Sequence, residues 1–207
     1  MAIADFLLHL DKYIGEIIQT YGVSTYLILF LIIFTETGLV IAPFLPGDSL
    51  IFIIGTFAGK GYLNVLLLFV ILAGAAIIGD SVNYWIGSYF GKRFFSNSKL
   101  IKREHLQKTE NFYKKYGVKT IIIARFMPIL RTIAPFVAGV GKMDYKKFFI
   151  YNITGGVIWV GVFLFSGYLF GEIPFVQDNL MLIVIVIILI SVIPPILEYL
   201  NKKKITT

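Results

Sequence analysis

Cysteine is absent from the 207 residues, and histidine occurs only as His9 and His105. Without cysteine there is no disulfide framework, no thiolate metal site and no sulfur nucleophile. Both histidines lie in polar surroundings, which leaves no imidazole for chemistry inside an apolar block. Charge is scarce as well: 15% of the residues are Asp, Glu, Lys or Arg, where a soluble domain carries about 25%. Hydrophobic residues reach 57% and the mean hydropathy is +0.83. That balance argues against a water-soluble enzyme and a disordered chain. Signatures of rival chemistries are missing too, with no G-x-x-x-x-G-K-S/T, no H-E-x-x-H and no G-x-S-x-G. Ser49 stands beside Asp48 without a base to activate it. No metal, no cofactor and no enzymatic reaction is expected. Asp5 and Asp11 interrupt the first apolar stretch and no small-residue cleavage site follows, so no cleaved signal peptide is expected either.

The apolar residues come in long blocks and do not alternate, the pattern of helices in a bilayer and not of a membrane barrel. Residues 92–119 carry nine bases and two acids, a net +7 that equals the charge of the whole chain. Short loops rich in Lys and Arg stay cytoplasmic. This assigns 92–119 to the cytoplasm, together with Lys142 to Lys147 and the C-terminal tail from Glu198 to Lys204. The acidic stretches 1–23 and Glu172 to Asp178 take the outer side, and with them the N-terminus. In a chain this apolar the partner of a basic run is an anionic lipid surface and not a nucleic acid.

Residues 62–91 and 148–170 are each long enough to cross, at about 1.5 Å of rise per residue. Residues 179–200 add a C-terminal crossing inside a final segment 172–207. Two blocks resist that reading. Residues 120–140 have basic flanks on both sides and contain Arg125, Pro128, Arg131 and Pro135, which interrupt a helix and demand solvation. A hairpin that dips in and leaves on the same side satisfies both facts. Residues 24–59 read alike, as two apolar arms with Glu36, Pro43, Pro46, Gly47 and Asp48 between them. Non-helical backbone at membrane depth is tolerated only where protein or a wet cavity covers it. The hairpins are therefore expected to face each other or water. Residues 1–23 and 98–116 carry the 3.6-residue stripe of amphipathic surface helices.

Offset by 80 positions, residues 58–91 match 138–171 at nine of 34 places, among them Ala58, Gly59, Gly87 and Gly91 with Ala138, Gly139, Gly167 and Gly171. Each copy is a hairpin followed by a span, and the charge pattern orients the copies oppositely. Inverted repeats with broken helices near the midplane are an architecture of secondary transporters. The expected fold is thus an all-α integral membrane protein. It is an inverted repeat of hairpin plus transmembrane helix, with an extra C-terminal helix and amphipathic surface helices.

Five ionisable residues sit inside the apolar blocks: Glu36, Asp48, Asp80, Arg125 and Arg131. A lone charge at the centre of a membrane helix costs roughly 2.5–3.5 kcal/mol, so they must pair or line water. Glu36 has no local structural excuse. Asp48 opens an apolar arm after Pro46 and Gly47, where an acid also serves as a helix N-cap. Asp80, with Asn83, Tyr84 and Asn152, forms a second polar site that reads as a structural knot between helices. Arg125 and Arg131 either neutralise the hairpin acids or hold a phosphate or carboxylate in bidentate fashion.

These residues resemble the DedA family, the SNARE-associated or VTT-domain membrane proteins, over about residues 25–170. The likeness is carried by Glu36 with Pro43 and Pro46-Gly47-Asp48-Ser49, then by Gly79-Asp80 with Tyr84, Gly87 and Gly91. It continues through Arg125, Phe126, Pro128, Arg131, Thr132, Pro135, Ala138 and Gly139, followed by Met143, Phe148, Asn152, Gly156 and Trp159. The resemblance implies two opposed re-entrant hairpins and movement of lipids between leaflets of the cytoplasmic membrane. The cargo it implies is undecaprenyl phosphate or a phospholipid, moved in dependence on the proton gradient. The family's acidic pair falls on Glu36 and Asp48 and its arginine pair on Arg125 and Arg131.

The expectation is therefore a flippase or scramblase for a lipid phosphate. Arg125 and Arg131 would hold the head group, and Glu36 and Asp48 would exchange protons. A carboxylate that loses its guanidinium to a phosphate takes up a proton more readily, which couples the two events. Pro43, Pro46, Gly47, Pro128 and Pro135 would shape the hairpin turns. The partners expected are the lipid phosphate, anionic membrane lipids, protons and, among proteins, a second copy of the chain. A proton-coupled exporter of small ions or drugs, a lipid phosphatase or transferase, and a scaffold remain the alternatives.

Overall fold

The computed structural model describes residues 10–39, 47–97, 119–179, 182, 183 and 185–187. The first nine residues, the expected turn residues Pro43 and Pro46, most of the basic segment (98–118) and the tail from 188 lie outside the described residues. Among the described residues every regular element is a helix. In chain order these are α1 (Leu10–Tyr21), a 3-10 turn (Gly22–Ser24), α2 (Thr25–Gly38), α3 (Gly47–Gly59) and α4 (Val65–Asn97). Then follow α5 (Lys119–Ala124), α6 (Pro128–Val140), α7 (Tyr145–Phe170) and α8 (Pro174–Asp178).

Three stretches are long and apolar enough to cross a bilayer: Lys12–Gly38, Val65–Phe90 and Tyr145–Phe170. This fits an α-helical membrane protein. The first stretch has the length of a span but is not one straight helix. Its α1 and α2 are separated by the 3-10 turn, with Gly22 at a φ of 50°. The Thr25 hydroxyl reaches the Ile17 carbonyl at 3.3 Å, where eight residues of a straight helix would rise about 12 Å.

Contacts divide the chain into two compact units. One comprises Met1–Leu29, Pro46–Ile71 and Val160–Thr207. Its α3 is almost wholly buried, from Gly47 through Thr56. It packs on the second half of α7 so closely that a Cβ at Gly167 would strike the Phe52 carbonyl. On α1 the pair Ile14 and Ile18 is buried, one turn apart on one face, and Gly15 lies against the Phe57 ring of α3. Asn64 caps α4: its Oδ1 accepts the Leu67 N–H at 3.0 Å, satisfying a donor the helix cannot.

The other unit comprises Phe30–Leu45 and Leu72–Trp159. Here α6 lies on α4, and a Cβ at Gly87 would strike the Phe136 carbonyl. Between α5 and α6 the chain turns over Arg125, Phe126 and Met127, whose N–H groups bond to the carbonyls three residues back. Met127 is extended and Pro128 begins the next helix, the place where a missing N–H costs nothing. Pro135 lies inside α6 and denies the Arg131 carbonyl its helical donor. The apolar core of this unit gathers Tyr84, Ile121, Ala138 and Phe148, with the Tyr84 and Phe148 rings stacked at 4.6 Å.

Candidate functional site

The second unit places four buried charges together, two of each sign. Glu36 comes from the last turn of α2, Asp80 from the middle of α4, Arg125 from the break between α5 and α6, and Arg131 from the first turn of α6. None is more than 2% exposed. Such charges persist away from water only when paired and hydrogen-bonded, and each has a partner of opposite sign. The Arg131 Nη2 donates to Glu36 Oε1. The Arg125 Nη2 donates to Asp80 Oδ2 and to Asn152 Oδ1. Arg131 also lies over the Trp159 ring, 4.8 Å from its centre, where the π face favours a cation. It acts electrostatically on both Asp80 and Arg125, so the two pairs form one cluster.

A surrounding shell of amides fixes the cluster. Asn152 donates through Nδ2 to the Ile77 carbonyl at 2.9 Å and to Ser81 Oγ at 3.3 Å, which aims its oxygen at Arg125. Asn83 donates to the Thr132 carbonyl at 2.8 Å and to the Thr37 carbonyl at 3.3 Å. Those carbonyls belong to the neighbours of Arg131 and Glu36. The Arg125 stem lies against α7 at two glycines. A Cβ at Gly155 would come within 2.9 Å of its Cδ and 3.2 Å of its Nε. At Gly156 the guanidinium nitrogens would lie 3.5 Å from an added Cβ, an ordinary contact, so it is Gly155 that gives the stem its room. Arg125 Nε and Nη1, Asp80 Oδ1 and Asn83 Oδ1 are buried with no hydrogen-bond partner among the described residues.

Of the residues singled out in the sequence, Glu36, Asp80, Asn83, Arg125, Arg131 and Asn152 are thus brought together. Asp80 and Asn152, read as a secondary knot, are the direct partners of Arg125. Tyr84 is apart from the charges: its hydroxyl donates to the Met143 carbonyl and its ring belongs to the apolar core. Asp48 belongs to the first unit, 5% exposed in the first turn of α3, where the helix dipole favours an acid. Trp159, Gly155 and Ser81 are the contributions that residue type alone did not assign to a site. Glycines at consecutive positions of an otherwise bulky span were the available signal for Gly155.

Residues 45–169 match the VTT domain. The chain is 52% identical over 204 residues to protein DedA of Escherichia coli strain K12, covering 97% of this chain and 93% of that protein. It is 39% identical over 165 residues to a membrane protein of Mycobacterium leprae, covering 79% and 74% of the two. It is also 34% identical over 152 residues to the inner membrane protein YqjA of E. coli strain K12, covering 72% and 69%. No solved structure matches the chain.

Proposed function

Because the chain belongs to the DedA family of VTT-domain membrane proteins, we propose that it carries a lipid phosphate between the leaflets of the cell membrane in exchange with protons. Undecaprenyl phosphate or a phospholipid is the cargo class, and the protein acts as a transporter, not an enzyme. The observation that carries this reading is Arg125, fully buried yet with Nε and Nη1 free of any hydrogen-bond partner among the described residues. A guanidinium offers five donors in a planar fork suited to phosphate oxygens, and here part of that fork is unspent.

The proposed mechanism is competition. A phosphate at Arg125 and Arg131 displaces carboxylate oxygens from the guanidiniums, and the displaced acid takes a proton. Release of the phosphate restores the ion pair and expels the proton. Glu36, held by Arg131, is the first candidate for that role, with Asp48 as its counterpart in the other unit. Trp159 and the Asn83 and Asn152 amides keep the arginines aimed while partners change. Around this chemistry the proposed frame is an inverted repeat of two re-entrant hairpins, with the basic segment 92–119 and the C-terminus cytoplasmic and the N-terminus external. A corresponding close contact supports the repeat: Gly139 meets Ser88 in one unit and Gly59 meets Tyr168 in the other, positions that the offset of 80 relates.

The experiment is reconstitution of the full chain into vesicles, following undecaprenyl phosphate and phosphatidylethanolamine across the leaflets with and without a pH gradient. Gradient-dependent redistribution of either supports the reading. Redistribution of neither, with folded protein in the vesicles, removes it.

A further inference from the structure

We propose that a groove between α4 and α7 in the second unit docks a hydrocarbon chain of an anionic phospholipid whose head group is held by Lys146 and Lys147. The groove has a volume of about 660 Å³ and is walled by Ile77, Val82, Trp85 and Tyr89 of α4 and by Tyr145 and Phe149 of α7. Both helices are long and apolar enough to cross a bilayer. The α4 wall runs from Ile77 to Phe90, about 20 Å at helical rise, which suits an extended acyl chain.

Charge and aromatic placement choose the occupant. At the Tyr145 end, Lys142, Lys146 and Lys147 are exposed. The acid among them, Asp144, accepts the Lys147 backbone N–H at 3.0 Å as the cap of α7. The balance of that rim is +2, complementary to an anionic head group. Trp85 and Tyr89 are 63% and 62% exposed, and Trp85 meets Tyr145 edge-on at 5.9 Å. Aromatic side chains with a polar tip favour the depth where head groups meet chains. At the far end the groove reaches Ser81, whose Oγ is held by the Asn152 amide that also receives Arg125. The docked chain therefore ends one hydrogen-bonded step from the buried cluster. This docking rests on the groove and its rim, and it holds whether or not the docked lipid is the lipid transported.

The test uses the full chain in phosphatidylcholine vesicles that contain brominated-chain phosphatidylglycerol or, at the same mole fraction, brominated-chain phosphatidylcholine. The readout is Trp85 fluorescence, isolated by subtracting the signal of Trp85→Phe, since Trp159 is fully buried. Phosphatidylglycerol is expected to quench at lower mole fraction, and the preference should fall roughly five-fold for each lysine removed in Lys146→Gln and Lys147→Gln. The exposed Lys60→Gln is expected to leave it unchanged. Equal quenching by the two lipids overturns the proposal, as does loss of the preference in Lys60→Gln. Absence of quenching by either lipid means that a second copy covers the groove, and also overturns it. Lipid movement measured in the same vesicles separates the two readings: a preserved phosphatidylglycerol preference without movement supports docking and removes transport.

Discussion

Glu36 and Arg131, 95 positions apart in the sequence, meet as a buried ion pair. The Asn83 side chain bonds to the carbonyls of Thr37 and Thr132 beside them. One amide on α4 thereby fixes the separation of the two segments that carry opposite charges. The pair depends on side-chain chemistry, and its alignment depends on this backbone clamp.

Replacing Asn83 with Ala is expected to leave both carbonyls without that donor and to destabilise the protein by about 1–3 kcal/mol. Thermal unfolding in detergent micelles measures it. An unchanged midpoint would show that the clamp contributes nothing.

Glu36→Gln keeps an acceptor oxygen for Arg131 and removes the titratable group. The protein is expected to fold, and lipid redistribution in vesicles should lose its response to a pH gradient. A full gradient response in this variant would take Glu36 out of the mechanism.

Arg131→Lys replaces a planar fork by a point charge and gives up the stack on Trp159. The transport rate is expected to drop at least about ten-fold, the factor that corresponds to ~1.4 kcal/mol. A lysine variant with near-normal transport would show that charge alone suffices at this position.

Gly155→Ala would press a methyl to within 2.9 Å of the Arg125 Cδ, in a side chain whose far end is tied to Asp80. Transport and stability should both fall, by roughly 1–3 kcal/mol in stability. Gly74→Ala is the control, because nothing lies within 4 Å of its added carbon. There, the better helix propensity of alanine should leave stability equal or raised by up to about 1 kcal/mol.

Asp80→Asn and Arg125→Gln each leave one buried charge unpaired and are expected to cost about 3–5 kcal/mol alone. The double variant should cost clearly less than their sum. Denaturation of all three in a double-mutant cycle tests the pairing, and strict additivity would deny it.

The long helices were readable because span length and apolar composition are local properties. Residues 62–91 and 148–170 in the sequence overlap the span-length apolar stretches Val65–Phe90 of α4 and Tyr145–Phe170 of α7, though α4 itself runs on to Asn97. The break at Arg125 was readable from Pro128, which opens α6. The sequence also indicated which residues are costly to bury. It did not indicate who meets whom. Arg125 could have paired with Glu36 or Asp48 by type and depth, and it pairs with Asp80, 45 positions away, because α4 and the α5–α6 turn are packed together there. The polar stripe of 1–23 suggested a helix lying on the surface. The 3-10 turn that ends α1 after Tyr21 was not legible in detail, since hydropathy sees composition and not the positive φ of Gly22 that interrupts the helix.

The four charges of the cluster, Glu36, Asp80, Arg125 and Arg131, add to zero. A membrane voltage does work of about 2.3 kcal/mol per 100 mV on each elementary charge that crosses it, and on a neutral constellation it does none. Displacement of these side chains as one group would then carry no gating current, whereas parting of a pair along the field would. Net charge moved per cycle would report what travels with them, so the current measured per lipid moved, once the charge of the lipid phosphate itself is taken off, gives the number of protons that accompany it.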